Sequence, residues 1–228
     1  MSGSGASADL KAWKAYPHLR CFYNKLYVAE LFGYQCGPAG VEPPCPGDYI
    51  VRPIINMAGM GCSARIQHLD NDSVKTKVPP GYFWSQRFIG RQLSIDYVKE
   101  FGVWRQLNAF EGFNFETDLS RFSCWKKVED KVDIPKEFNP IIDSGIQKIN
   151  FECIKTIDND IKPFEVHLRN GFDHMMEYDE IVPVFKGDPQ RRTGYRYIEG
   201  FTDGWGQLLY PRIGYLVKPI SSSVKRSK

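Results

Sequence analysis

The sequence predicts an α+β protein built mainly from antiparallel strands. Three observations carry that expectation. Between residues 82 and 128, β-rich runs follow one another: YFWSQRFI, RQLSIDYV, VWRQLNAF, FNFETDL and RFSCWKKV. Their aromatic and β-branched residues suit a pleated surface. Two stretches with helical character, 22–32 and 135–147, stand ahead of groups of strands, the arrangement of α+β folds. Gly, Pro and Asp-Asn clusters punctuate the runs at turn positions.

Taken in order, Ser2–Gly5 reads Ser-Gly-Ser-Gly, and residues 1–21 are read as a tag remnant and N-terminal segment. In FYNKLYVAELF, Phe22, Leu26, Ala29 and Phe32 recur at helical spacing and Gly33 stands at the C-cap. Residues 37–48 are rich in Pro and Gly and predict a loop. DYIVRPII then predicts a strand, NMAGMG a turn, and CSARIQHL a returning strand. Residues 69–81 close in Pro-Pro-Gly and predict another loop. The runs of 82–128 follow, split by Gly90. PKEFNPIIDSGIQ predicts a helix from Pro135. KINFECI and FEVHL are strands joined by the turn Asp158-Asn159-Asp160. The last fifty residues predict loops with one late strand at GYLV. The expected lobes are a small nucleotide-binding lobe over 22–100 and a larger lobe over 101–228.

A chain of 228 residues buries enough surface for one large domain or two small lobes. The formal net charge of +3 comes from mixed signs, which disfavours a nucleic-acid-binding face. The Arg- and Tyr-containing stretch QRRTGYRYIEGFTDGW is the one segment suited to stacking bases. The six cysteines include no Cys-x-x-Cys pair and do not cluster with the four histidines, which argues against a zinc site. No stretch has membrane-spanning length and no signal pattern opens the chain. A cytoplasmic protein with no membrane partner is the expectation.

Two local features point to chemistry. The turn holding Gly59 and Gly61 exposes consecutive backbone N–H groups that can cradle phosphate oxygens, with Arg52 adding charge. A hairpin turn that needs positive φ explains the same glycines. Glu152 and Glu165 lie on adjacent strands. Two carboxylates so placed repel unless a cation lies between them, and magnesium is the usual oxygen-bound ion. Two glutamates on the wet face of a hairpin are the plainer explanation. Glu165, His167 and Arg169 alternate and share one face, which leaves Val166 and Leu168 to the core.

In the order and spacing of these segments, residues 22–171 resemble the ATP-grasp superfamily. The resemblance implies an ATP-grasp fold: two α+β lobes whose antiparallel sheets sandwich a nucleotide. It implies ATP and Mg2+ as cofactors, and activation of a small-molecule or peptide carboxylate as an acyl phosphate for attack by an amine. Asn24-Lys25 resembles the family's lysine segment. IVRPIINMAGMG resembles the phosphate strand and glycine loop, with Arg52 where lysine is usual. QRFIGRQLSIDYV resembles the hinge that reads adenine, with Gln86 in place of a glutamate, Phe88 and Ile89 as hinge backbone and Gln92 at the ribose position. Lys127 resembles a lysine that faces the terminal phosphate. Glu152 and Glu165 resemble the metal carboxylates.

The family's Glu-x-Asn-x-Arg is here Glu165-x-His167-x-Arg169. Arg169 then orients phosphate or a substrate carboxylate, while His167 acts on phosphate or substrate or marks lost catalysis. The resemblance also implies a substrate domain ahead of the lysine helix. Its place would fall to a protein partner or to residues 186–212, with Arg191, Arg192, Arg196, Asp203 and Trp205. Two functional readings follow: an ATP- and magnesium-dependent ligase, or a catalytically reduced protein on the same fold that binds nucleotide or a partner.

Overall fold

A computed structural model describes residues 5–55, 64–115, 118–171, 177–200 and 212–220. The chain opens with helix α1 (Gly5–Ala15), a 3-10 helix (Pro17–Tyr23) and α2 (Lys25–Leu31). The Asn24 side chain caps α2 by accepting from the Tyr27 N–H at 3.0 Å. Gly33, at φ +68°, ends it, and the Tyr34 N–H returns to the Ala29 carbonyl at 3.0 Å. The sequence foresees this helix and its stop. It does not foresee α1, because residues 1–21 read as a tag remnant and N-terminal segment.

The smaller sheet is four-stranded, in the order β1-β4-β2-β3. Its strands are β1 (Cys36–Pro38), β2 (Gly47–Pro53), β3 (Arg65–Leu69) and β4 (Tyr82–Gln86), all paired antiparallel. The predicted hairpin is real, with Tyr49 opposite Gln67. Its turn, with Gly59 and Gly61, lies outside the described residues. Val51, Leu69, Val74 and Trp84 form the core of this sheet. Helix α3 (Val74–Lys77) supplies Val74, so the predicted loop of 69–81 contains one helical turn.

The larger sheet runs β11-β12-β10-β7-β6-β5-β8-β9. Its strands are β5 (Gly90–Glu100), β6 (Val103–Phe115), β7 (Asp118–Lys127), β8 (Lys148–Thr156), β9 (Ile161–His167), β10 (Tyr178–Phe185), β11 (Arg196–Glu199) and β12 (Arg212–Pro219). Alternation along β5 and β8 turns Leu93, Ile95, Tyr97, Phe151 and Cys153 to one face. There they pack with Leu19, Phe22 and Val28 of the N-terminal helices. Each such side chain contributes roughly 1.5–3 kcal/mol on burial. At the far end Phe110, Trp125, Ile181, Tyr215 and Val217 form a separate cluster.

Two expectations are corrected. The helix of 135–147 shrinks to a 3-10 turn (Lys136–Phe138) and α4 (Asn139–Ile142), ended by Gly145 at φ +85°. The last fifty residues hold β10 and β11 as well as the strand at GYLV. Pro183 hides β10 from a sequence reading, yet the pairing of β10 with β7 ends at Ile181, so the proline sits where only β12 is bonded. β5 pairs with β6 and β8, Val28 of α2 packs in the large core, and the small sheet itself spans 36–86.

The chain crosses between the sheets twice, at 32–35 and at 87–89, and the two crossings touch. The Gln86 N–H donates to the Gln35 carbonyl at 2.7 Å, and the Tyr34 and Phe88 rings meet edge to face at 4.7 Å. Gly90 pins the second crossing to β8. A Cβ there would lie 2.2 Å from the Lys155 carbonyl oxygen, which only glycine avoids. A third contact is non-covalent: the Lys25 N–H donates to the Ile54 carbonyl at 2.7 Å.

Candidate functional site

The site is built on the large-sheet face opposite the main core. Strand pairing sets one row across it: Lys127 opposite Phe110, Phe110 opposite Ser94, Ser94 opposite Glu152, and Glu152 opposite Glu165. The two carboxylates are direct cross-strand partners, so their Cβ atoms lie about 5 Å apart. Lys127 shares the row but stands three strands from Glu152, about 14 Å at normal strand spacing.

Cations converge on the pair. Lys25, at the first turn of α2, places Nζ 3.1 Å from Glu165 Oε2, with side-chain exposures of 3% and 13%. Arg52 of β2 reaches from the small sheet, its guanidinium between the rings of Phe83 and Phe164 at 5.2 and 5.0 Å. Its Nη2 lies 3.4 Å from the Phe164 carbonyl, and its buried Nε has no hydrogen-bond partner among the described residues. Burial pulls Arg52 below its ordinary pKa, against the opposing charges of Glu165 and Glu152. Gln92 donates from Nε2 to Glu152 Oε2 at 3.0 Å.

The two glutamates titrate apart. Burial and the charge of Glu165 push Glu152 up to about 7. Burial also acts against the Glu165 carboxylate, but Lys25 foremost, then His167 and Arg52, hold it well below the usual range. His167 Nε2 lies 3.2 Å from Glu165 Oε1, and Nδ1 faces Asp9 Oδ1 at 3.9 Å, beyond hydrogen-bond range. Burial and the Arg169 charge oppose protonation of His167; Asp9 and Glu165 outweigh them and raise it.

Asp9, fully buried on α1, is the residue the sequence did not disclose. Arg169 grips it with both sides of the guanidinium, Nε to Oδ1 at 2.8 Å and Nη2 to Oδ2 at 3.0 Å. The third arm, Nη1, donates to the Asn170 carbonyl at 2.9 Å. The Arg169 fork is thus spent on α1 and on its own loop. Burial alone would raise the Asp9 carboxyl; the neighbouring His167 and Arg169 hold it below the usual range. A lone aspartate in SADLKAW carries no local signal of such a role.

Beside the carboxylates, Asp96 Oδ1 accepts from Asn150 Nδ2 at 2.9 Å and from the Gly171 N–H at 2.6 Å. Asn150 Nδ2 also lies 3.0 Å from Ser94 Oγ, and Asn108 donates to Asp96 Oδ2 at 3.2 Å. This buried network ties the segment after β9 to the sheet. It was legible in principle: Gln92, Ser94 and Asp96 alternate along one strand, as Asn150 and Glu152 do along another.

The structure therefore gathers Lys25, Arg52, Gln92, Glu152, Glu165, His167 and Arg169. Gln86 is exposed and Phe88 half-buried at the crossing between the sheets. Arg192 stacks on Tyr195 at 4.4 Å and lies 3.8 Å from Glu180, and Arg196 lies over Tyr178 at 5.5 Å, on the far strands β10 and β11 and the loop between them. Asp203 and Trp205 lie outside the described residues.

No protein-family model matches the chain, and no curated protein matches it by sequence. Solved structures do. A carboxyaminoimidazole ribonucleotide synthase from Aspergillus clavatus complexed with ATP is 9% identical, with a TM-score of 0.61 over 92% of this chain and 73% of that one. An N5-carboxyaminoimidazole synthetase from Staphylococcus aureus complexed with ADP is 10% identical, with a TM-score of 0.60 over 90% of this chain and 69% of its own. The biotin carboxylase domain of a 2-oxoglutarate carboxylase from Hydrogenobacter thermophilus, in complex with MgADP and bicarbonate, is 9% identical. Its TM-score is 0.54 over 90% of this chain and 63% of that one. These enzymes share one architecture, and the chain follows it along nine-tenths of its length: the protein has the ATP-grasp fold.

Proposed function

We propose that the protein is an ATP- and magnesium-dependent ligase that activates a carboxylate as an acyl phosphate for attack by an amine or similar nucleophile. The observation that carries this reading is the opposed pair Glu152 and Glu165, met by Lys25 from α2 and by Arg52 from the small sheet. The pair suits a divalent cation: burial and mutual repulsion raise Glu152 to about 7, and an ion shared by both carboxylates removes that repulsion. Such an ion, bound with ATP, supplies charge neutralisation at the phosphates.

The chain's own residues would do the rest. Arg52, with an unpartnered buried Nε, offers a fork to phosphate oxygens. Lys25 holds Glu165 ionised and adds positive charge where negative charge develops. A substrate carboxylate oxygen would attack the terminal phosphorus as ADP leaves; the nucleophile then would attack the acyl carbon and release phosphate. Catalysis of this kind is mostly positioning and electrostatics. Phe88 and Ile89 at the crossing would meet the adenine, with Gln86 and Gln92 nearby. Gly59, Gly61 and Lys127 belong to the proposal as phosphate contacts. A small-molecule or peptide acid is the proposed substrate, with a protein partner or residues 186–212 supplying its remaining contacts.

One observation favours the reduced, binding-only reading. Arg169, the expected phosphate or substrate contact, commits three of its five N–H groups, including the Nε–Nη2 fork, to Asp9 and Asn170. Calorimetry with a non-hydrolysable ATP analogue separates the readings. Magnesium-dependent binding that is lost in Glu165→Ala, followed by ADP release with a suitable acid and amine, supports the ligase. Binding without turnover across a panel of acids and amines supports the second reading, and absence of nucleotide binding removes the first.

A further inference from the structure

We infer that His167 Nε2 is a direct ligand of the cation held by Glu152 and Glu165, and that the site favours a first-row transition dication over magnesium. The inference rests on the cation-binding part of the proposed function and departs from it in the identity of the ion.

One ligand atom from each of Glu152, Glu165 and His167 lies within 4.8 Å of the others. Bonds of about 2.0–2.2 Å place neighbouring donors of one ion about 2.8–3.6 Å apart. His167 Nε2 and Glu165 Oε1, at 3.2 Å, already have that spacing. A shift of the Glu152 side chain by at most about 1–2 Å closes the triad. The His167 ring is held in place: the residue is 5% exposed, and its neighbours Val166 and Leu168 are anchored in the core. Nε2 points at Glu165 Oε1, 3.2 Å away, while Lys25 takes the other oxygen, Oε2. An ion bound by Nε2 and Oε1 thus leaves the Lys25 contact intact.

The second ring nitrogen supplies the independent observation. Buried Nδ1 has no hydrogen-bond partner among the described residues, and it faces the buried Asp9 carboxylate at 3.9 Å. An imidazole that ligates through Nε2 carries its proton on Nδ1, and a carboxylate on that side orients the ring. Asp9 is fixed for that task by the two-point grip of Arg169. The arrangement has the order of a carboxylate–histidine–metal relay, and a shift of the ring toward Asp9 by about 1 Å or a little less would make its Nδ1–H bond. Magnesium prefers hard oxygen donors and gains little from imidazole, whereas transition dications gain a strong bond.

The test uses metal-stripped full-length protein, Mn2+ and Mg2+ as probes, and protein labelled with 15N-histidine. Manganese is the weakest imidazole binder of its series and so the stringent probe. Pulsed EPR of the Mn2+-loaded wild type is expected to show a directly bonded nitrogen whose coupling changes with the 15N label. His167→Asn is expected to abolish that coupling and to weaken Mn2+ binding about tenfold or more, with Mg2+ binding held within about threefold. The labelled wild type gives its answer even where the variant fails to fold. Mn2+ bound without nitrogen coupling overturns the inference and leaves the ligase reading standing. Failure of both ions to bind, with and without a non-hydrolysable ATP analogue, overturns both.

Discussion

Glu152→Gln is expected to stabilise the metal-free protein at neutral and alkaline pH. In the folded chain burial and Glu165 shift the Glu152 carboxyl from 4.5 to about 7. A carboxyl raised on folding costs nothing below its unfolded value. The cost grows as pH rises from about 4.5 and is complete above about 7. The shift corresponds to about 3 kcal/mol at 1.36 kcal/mol per pH unit. Glutamine keeps the shape, its amide oxygen still accepts from Gln92, and its NH2 can donate to Glu165. The stability difference between variant and wild type in EDTA should therefore be small at pH 5 and near 3 kcal/mol at pH 8, as read by urea denaturation. A dication should narrow the gap by stabilising the wild type alone. A variant that is less stable than wild type by the same amount at both pH values would show that the carboxylate is already satisfied, and the argument for a cation there would fail.

Other perturbations test the frame around the pair. Asp9→Ala strands Arg169 beneath α1 and should cost about 3–5 kcal/mol by thermal or chemical denaturation. Asp9 and Glu165 are both held below their unfolded values, so the stability they contribute is present above pH about 4.5 and is lost as pH falls further; Asp9→Asn should flatten that acid limb. Gly90→Ala drives a methyl into the Lys155 carbonyl and should lower Tm by several degrees or remove protection of the β5–β8 amides in hydrogen exchange.

Much of the site was legible because strand periodicity is a local property. FEVHLRNG assigns Glu165 and His167 to one face and Val166 and Leu168 to the other by simple alternation. The turn at Asp158–Asp160 pairs the two strands, but its register alone would set Glu152 opposite Phe164; the bulge between Glu152 and Cys153 brings it opposite Glu165, and nothing local marked that bulge. Gly33 and Gly90 announced a helix end and a strand boundary through backbone demands that no other residue meets as well. What stayed hidden depends on long-range packing. Asp9 and Arg169 are separated by 160 positions, and nothing near either marks the other. Strand β10 was masked by Pro183, whose cost vanishes only because the adjacent ladder stops short of it. The helix over 135–147 had acceptable periodicity but ends within two turns at Gly145.

The contacts between the sheets have a mechanical consequence. The two covalent crossings lie side by side at Gln35 and Gln86, and the Lys25–Ile54 contact makes a separate attachment at the other end of β2. A plate fastened at two points swings about the line that joins them, as a door does on its pins. Points on that line stay still, while the β3 margin, which meets β7 of the large sheet, moves farthest. Lys25 sits at one pin, so the small sheet can open and shut without disturbing the ammonium that holds Glu165. Arg52, one strand position from the pin-bearing end of β2, lies close to the same line, so its hold on the Phe164 carbonyl sits where the sheet moves least.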